Sequence, residues 1–241
     1  MLAGEGLSKR FGGLSILAGI SFRVRAGTVL ALIGPNGAGK TTLFNILTGF
    51  VRPDAGRVVF DGRDITALAP ERRAGLGIAR TFQVVKPFSR LTVLENVMVG
   101  AFAIERRIEA ARGRANDTLD RVGIAAIAHQ RAGHLTVAHR KKMELARCLA
   151  MSPQLLLLDE VMSGLNSSEL LEMVTLVRTL RAEGMTIVLV EHLMDVVREL
   201  ADEILVLSGG AFLAQGAPQE VLDNPAVIAA YLGEVPAHAA G

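Results

Sequence analysis

A single cysteine, Cys148, stands among the 241 residues, so no internal disulfide can form and a reducing compartment suits the chain. Its neighbours Met143, Leu145, Ala146 and Leu149 fall on one helical face, which reads Cys148 as a small core residue and not as a nucleophile. No apolar run approaches the roughly 20 residues that a membrane span needs. The opening stretch, Met1 to Gly13, lacks the apolar region of a signal peptide. If the protein works at a membrane, something else is expected to span it. Charge of one sign is also missing: 26 Lys+Arg face 24 Asp+Glu, a formal net charge of +2, which offers no basic stripe for nucleic acid. The longest charged cluster, Arg140-Lys141-Lys142, reads as a solvated helix start. No internal repeat is evident. What the chain has in quantity is apolar surface: 50% of its residues are hydrophobic and 21% charged, enough to build a core and unlike a disordered segment.

The pattern along the chain is α/β. Thr28 to Ile33 is a short apolar run that enters glycine-rich sequence, and Thr42 to Thr48 reads as a helix stopped by Gly49. Val58 to Phe60 with the Asp61-Gly62 turn reads as part of a hairpin. From about Pro87 to Ala150 the apolar spacing is helical, as at Leu94, Val97 and Met98, which predicts a helical subdomain inserted into the core. Leu155 to Leu158, Thr186 to Val190 and Glu203 to Leu207 read as strands buried in a parallel sheet. A helix is expected between the first two, from about Ser168 to Glu183. The expected organisation is a core in two parts, 1–86 and 151–235, a helical subdomain at 87–150, and a loose tail at 236–241.

Gly34-Pro35-Asn36-Gly37-Ala38-Gly39-Lys40-Thr41 fits G-x-x-x-x-G-K-[ST]. Glycines let the backbone curl so that N–H groups point at phosphate oxygens, and the helix that follows adds its positive end. Lys40 has the reach for β- and γ-phosphates, and the Thr41 hydroxyl suits Mg²⁺. The expected ligands of the Gly34 to Thr42 loop are therefore ATP and Mg²⁺. Asp159-Glu160 close the four-leucine strand, where ligand chemistry gathers in open parallel sheets. Asp159 can hold Mg²⁺ through water, and Glu160 can orient and polarise an attacking water. A GTPase would need a guanine-reading Asn-Lys-x-Asp, which is absent.

With these stations in order, nearly the whole chain resembles the nucleotide-binding subunit of an ATP-binding cassette (ABC) transporter. The fold this implies is a P-loop NTPase (RecA-like) core with an antiparallel β piece and an inserted helical subdomain. By resemblance, Gln83 in Thr81-Phe82-Gln83 is the glutamine that contacts Mg²⁺ and joins the core to the helical subdomain. Ser163-Gly164-Leu165-Asn166 matches a loop that crosses a dimer interface, and His192 matches the histidine near the γ-phosphate. Phe11 takes the place of the aromatic that stacks on adenine, or is simply core. Leu91-Thr92-Val93-Leu94-Glu95-Asn96-Val97 and Glu191-His192-Leu193-Met194-Asp195 are similar to importers of branched-chain amino acids, whose relatives also carry urea and amides. The implied partners are membrane-spanning permeases, a second cassette ATPase and, indirectly, a solute-binding protein, with no nucleic acid. The implied location is the cytoplasmic face of the inner membrane. Cassette ATPases acting on ribosomes or DNA usually carry two cassettes or a long coiled-coil insert, and this chain has neither.

The family's signature, Leu-Ser-Gly-Gly-Gln, falls here on Leu135-Thr136-Val137-Ala138-His139. In the family this helix start meets the γ-phosphate of ATP held by the opposite subunit. Thr136 keeps a hydroxyl, but Val137 and Ala138 replace glycines and His139 replaces the glutamine. A Cβ at Ala138 stands where glycine lets backbone approach a ligand. The altered signature beside an intact loop, Glu160 and His192 favours a heterodimer over a homodimer. Val161 replaces a proline usual after the glutamate.

Overall fold

The computed structural model describes residues 1–83 and 86–232. Val84 and Val85, which follow Gln83, and residues 233–241, including the expected 236–241 tail, lie outside the described residues. The chain forms two compact units, one of Met1–Arg73 with the stretch from Thr186 onward, the other Ala74–Met185.

In chain order, the first unit opens with β1 (Leu2–Phe11), β2 (Leu14–Val24), β3 (Val29–Ile33), α1 (Lys40–Thr48), β4 (Ala55–Phe60), β5 (Arg63–Asp64) and α2 (Pro70–Ala74), which runs into the boundary. The second holds β6 (Ile78–Arg80), α3 (Val93–Ala101), α4 (Ile108–Arg121), α5 (Val137–Leu149), β7 (Leu155–Asp159) and α6 (Ser167–Ala182). The first then resumes with β8 (Thr186–Val190), α7 (Met194–Leu200), β9 (Glu203–Ser208), β10 (Ala211–Gly216), α8 (Pro218–Leu222) and α9 (Pro225–Leu232).

In the first unit β3 is flanked by β8 and β9, both parallel to it, with Ala31 opposite Leu189 on one side and Ile204 on the other. Every residue of β3 and β8 is buried, as the unbroken apolar runs predict for strands covered on both faces. Ala31, Ile33, Val197, Ile204, Val206, Val221 and Val227 close one side of this core. A separate antiparallel sheet runs β2-β1-β4-β5, and the Asp61-Gly62 turn joins its last two strands as the hairpin expected there. Strands β1 and β2 carry no clear signal in the sequence because glycines interrupt them and their register shifts three times.

In the second unit β6 and β7 pair in parallel, Ile78 opposite Leu155 and Arg80 opposite Leu157. Leu155 to Leu158 are each 0% exposed, and burying each such side chain stabilises by about 1.5–3 kcal/mol. Between these strands the chain is helical, as the apolar spacing at 87–150 predicts. Helix α3 starts on a capping box, with the Thr92 side chain accepting from the Glu95 N–H and Glu95 reaching back, and α6 starts on another from Asn166 and Glu169. Among the described residues no helix is long and apolar enough to cross a membrane.

Candidate functional site

Residues Gly34 to Gly39 link β3 to α1, so the loop runs from the end of a fully buried strand into a helix. Gly34, Gly37 and Gly39 hold φ of +150°, +76° and +100°, conformations that side-chain-bearing residues rarely adopt. At Gly34 a Cβ would also lie 2.1 Å from the Leu207 carbonyl oxygen, so the loop cannot leave the sheet there with any other residue. Lys40 is the first residue of α1 and is 7% exposed. Its Nζ donates to the carbonyls of Gly34 (2.5 Å) and Pro35 (2.9 Å), which keeps the ammonium inside the curl of the loop. No side chain caps the start of α1, where Gly39 stands. A curled backbone, a buried cation and an uncapped helix start are the donor set for polyphosphate. Thr41 is exposed and Thr42 half-buried, which leaves the Thr41 hydroxyl at the surface of the loop.

The other end of α1 is held by a residue that the sequence did not single out. Arg73 is 1% exposed, and its guanidinium donates to the carbonyls of Ile46 (2.6 Å), Leu47 (2.8 Å), Leu68 (3.0 Å) and Thr66 (3.0 Å). A cation at a helix C-terminus interacts favourably with the negative end of the helix dipole. Burial lowers the Arg73 pKa to about 10, against the pull of Asp64, so the charge is retained at neutral pH. His192, just beyond β8, is exposed, while Glu191 beside it is buried. Phe11 ends β1 with 52% exposure and with the Lys9 ammonium 5.3 Å from its ring, so it is no core residue. The ring stands open for stacking.

The second unit brings together two residues picked out from sequence. Gln83 Nε2 donates to Glu160 Oε2 at 2.7 Å, so the amide fixes one oxygen of the carboxylate. Glu160 follows β7 with φ +51°, a left-handed turn at a non-glycine residue, where such strain is commonly tied to function. Asp159, 5% exposed, ends β7; its Oδ2 accepts from Arg80 Nη2 at 2.7 Å and its N–H donates to Thr81 Oγ1 at 3.1 Å. The Arg80 guanidinium also lies 5.1 Å from the Phe82 ring. Arg80 is therefore a member of this cluster that no spacing in the sequence announces. Cys148 is buried and its thiol donates to the Arg80 carbonyl at 3.2 Å, while burial pushes its pKa to about 12. It is the core residue that its helical face predicts.

The expected signature turn is the start of α5. Thr136 is its N-cap, accepting from the His139 N–H at 3.2 Å. Ala138 is 6% exposed, and Val137, 53% exposed, is the side chain that changes the outer surface. The Arg140-Lys141-Lys142 cluster is not uniformly solvated, because the period of α5 turns Lys141 inward to 7% exposure.

A family model described as ABC transporter matches residues 17–163, more than half of the chain. The chain belongs to the ABC transporter family. A second model, described as branched-chain amino acid ATP-binding cassette transporter, matches residues 213–237. The chain is similar to the high-affinity branched-chain amino acid transport ATP-binding protein BraF of Pseudomonas aeruginosa, 40% identical across 95% of this chain and 96% of that one. It is as similar to the LivG protein of the same description from Salmonella typhimurium, 40% identical across 97% of this chain and 98% of that one. Among solved structures, the ADP conformation of an ATP-binding cassette of an ABC transporter matches with a TM-score of 0.88 and 32% identity, across 97% of this chain and 99% of that one. The architecture is that of an ABC ATPase, and the family's activity is ATP hydrolysis. The first unit carries the expected phosphate loop and His192, and the second carries Gln83, Asp159, Glu160 and the expected signature turn.

Proposed function

We propose that this chain hydrolyses ATP to power uptake of branched-chain amino acids, or a similar small polar solute, through separate membrane-spanning permeases. The similarity to the BraF and LivG proteins along almost the full chain supports the solute class. The observation that carries the hydrolytic reading is the Gln83–Glu160 contact at the carboxyl end of β7. Phosphoryl transfer to water depends on positioning and charge more than on covalent chemistry. Lys40 and the N–H groups of Gly34 to Thr42 hold the phosphates and neutralise their charge. Glu160 orients the water and accepts its proton, with one carboxylate oxygen held by Gln83. His192 senses the γ-phosphate, and Phe11 stacks on adenine.

The hydroxyl of Thr41, the carboxylate of Asp159 and the amide oxygen of Gln83 are each hard oxygen donors of the kind Mg²⁺ prefers, and these residues would hold it. Once bound, that ion would neutralise charge developing on the phosphates. Arg80 holds one Asp159 oxygen and so fixes the direction of the other.

The partners belong to the same reading. Thr136, Val137, Ala138 and His139 are offered to ATP on a second cassette, and the exposed Val137 weakens that offer. This favours a heterodimer in which the chain's own loop faces a glycine-bearing signature. Residues 87–150 then move as the helical subdomain against the core parts 1–86 and 151–235. A solute-binding protein acts on the far side, and the assembly sits at the cytoplasmic face of the inner membrane.

Glu160→Gln is the test. It keeps ATP binding, abolishes turnover and traps a closed dimer, read by steady-state ATPase and size-exclusion chromatography with ATP. Near-normal turnover in that variant would remove Glu160 from its role. A chain that hydrolyses ATP briskly alone, unchanged by any second cassette, would remove the heterodimer.

A further inference from the structure

Two ionisable residues on one face of α5, neither needed for the mechanism above, reach the backbone on both sides of the Gln83–Glu160 pair. Lys141 Nζ donates to the Glu160 carbonyl at 2.8 Å, and Glu144 Oε1 accepts from the Phe82 N–H at 3.2 Å. They are three residues apart on the helix and therefore neighbours on its surface. Lys141 is 7% exposed and Glu144 2%. Burying charge is unfavourable unless the groups it meets compensate for it.

What they meet is specific. The Glu160 carbonyl belongs to the residue whose φ is +51°, so it points where a regular strand would not send it. An ammonium on that oxygen favours the turned conformation over the relaxed one. Phe82 immediately precedes Gln83, so fixing its N–H sets where the Gln83 side chain begins. The Gln83–Glu160 bond closes the ring: α5, Lys141, Glu160, Gln83, Phe82, Glu144 and back to α5.

We propose that Lys141 and Glu144 are positioning residues that set the general base Glu160 and its partner Gln83 for attack on this chain's own ATP. The helix that begins at the signature turn thereby also controls hydrolysis in its own subunit. The proposal rests on the reading of Glu160 as the base and assigns a second role to α5. Both side chains are buried and spent on backbone groups of Glu160 and Phe82, so their effect falls on the rate of the chemical step and not on binding.

The test uses the full chain assembled with its transporter partners, measuring kcat for ATP and, separately, the Kd for ATP. Lys141→Met keeps most of the apolar stem and removes the donor, and it lowers kcat tenfold or more with the Kd within twofold of wild type. Lys141→Arg retains a donor and restores at least half of the lost rate. Glu144→Gln retains an acceptor oxygen and keeps most of the rate, while Glu144→Leu loses about as much as Lys141→Met. Lys141→Gln, polar but too short to reach, replaces the methionine variant should that protein not fold, with the same expectation.

A wild-type kcat in Lys141→Met or Lys141→Gln overturns the proposal, as does a loss in kcat matched by an equal loss in ATP affinity. Glu160→Gln, run in parallel, separates the two readings. If it still turns over, the base assignment fails and this proposal fails with it. If it is inactive while Lys141→Met is normal, only the positioning role fails.

Discussion

The two helices expected to meet phosphate, α1 and α5, are built in opposite ways. Helix α1 is left without a side-chain cap at its start and is anchored at its end, where Arg73 bonds the Ile46 and Leu47 carbonyls. Helix α5 is capped at its start by its own Thr136 and anchored along its side through Lys141 and Glu144. An anion site needs N–H donors that the protein has not already used. The start of α1, at Gly39, carries no side-chain cap and has the buried Lys40 cation beside it. Helix α5 uses one donor on its cap and presents Val137 outward, which in the proposed reading makes it the weaker phosphate site. Its contribution lies on the inward face.

The comparison breaks most severely at Arg73. Arg73→Met removes a buried guanidinium from four carbonyls and is expected to cost about 4 kcal/mol, the range for an interrupted buried polar network. Urea unfolding would read this as a lower midpoint with an unchanged slope. A loss below about 1 kcal/mol would show that the end of α1 holds itself. At the other end of α1, Lys40→Ala removes the cation from the loop. ATP affinity then falls about 100-fold, equivalent to about 3 kcal/mol, in an equilibrium binding measurement, with the fold intact by circular dichroism. Binding within threefold of wild type would leave the backbone donors sufficient by themselves.

What was legible in the sequence follows the same division. The phosphate loop was readable because backbone geometry imposes glycine at fixed spacing and lysine after it. Strand β7 was readable because burial on both faces demands an unbroken apolar run, and Glu160 because it follows that run. Strands β1 and β2 were not, since glycines and register shifts erase period-two alternation. The anchors were the least legible. Arg73 follows Arg72 in a polar stretch, and only packing decides which of the two is 1% exposed. Within Arg140-Lys141-Lys142 the composition is uniform, and the phase of α5 alone turns Lys141 inward. Buried charges carry no apolar signature, so the residues that hold the site are the ones a hydrophobic pattern misses.

A pH titration sharpens the description of α5. Burial raises the Glu144 pKa from 4.5 to about 7, against the Phe82 N–H and the charges of Arg147, Lys141 and Arg80. Between those values the folded protein holds a proton that the unfolded chain releases, so this group stabilises the fold as pH falls through 7, and the gain levels off below 4.5. Relative to Glu144→Gln, the wild type should gain about 2–3 kcal/mol between pH 8 and pH 5. Parallel unfolding curves at the two pH values measure the difference. Equal slopes in both proteins would show that the carboxyl is solvated in solution.

The smallest effect concerns the cap. Thr136 accepts one N–H at an exposed helix start, so Thr136→Ala should cost about 1 kcal/mol, Thr136→Gly a few tenths and Thr136→Ser almost nothing. If α5 were equivalent to α1, removing its cap would free a donor and improve it as an anion site. If its start is a structural terminus, removing the cap only frays the first turn. ATPase activity of the assembled transporter distinguishes these outcomes. A rise in turnover with Thr136→Ala would place α5 with α1 as a phosphate-binding helix. Unchanged or lower turnover with the expected loss of stability would keep the two helices in separate roles, one gripping phosphate through its end and the other holding the base through its side.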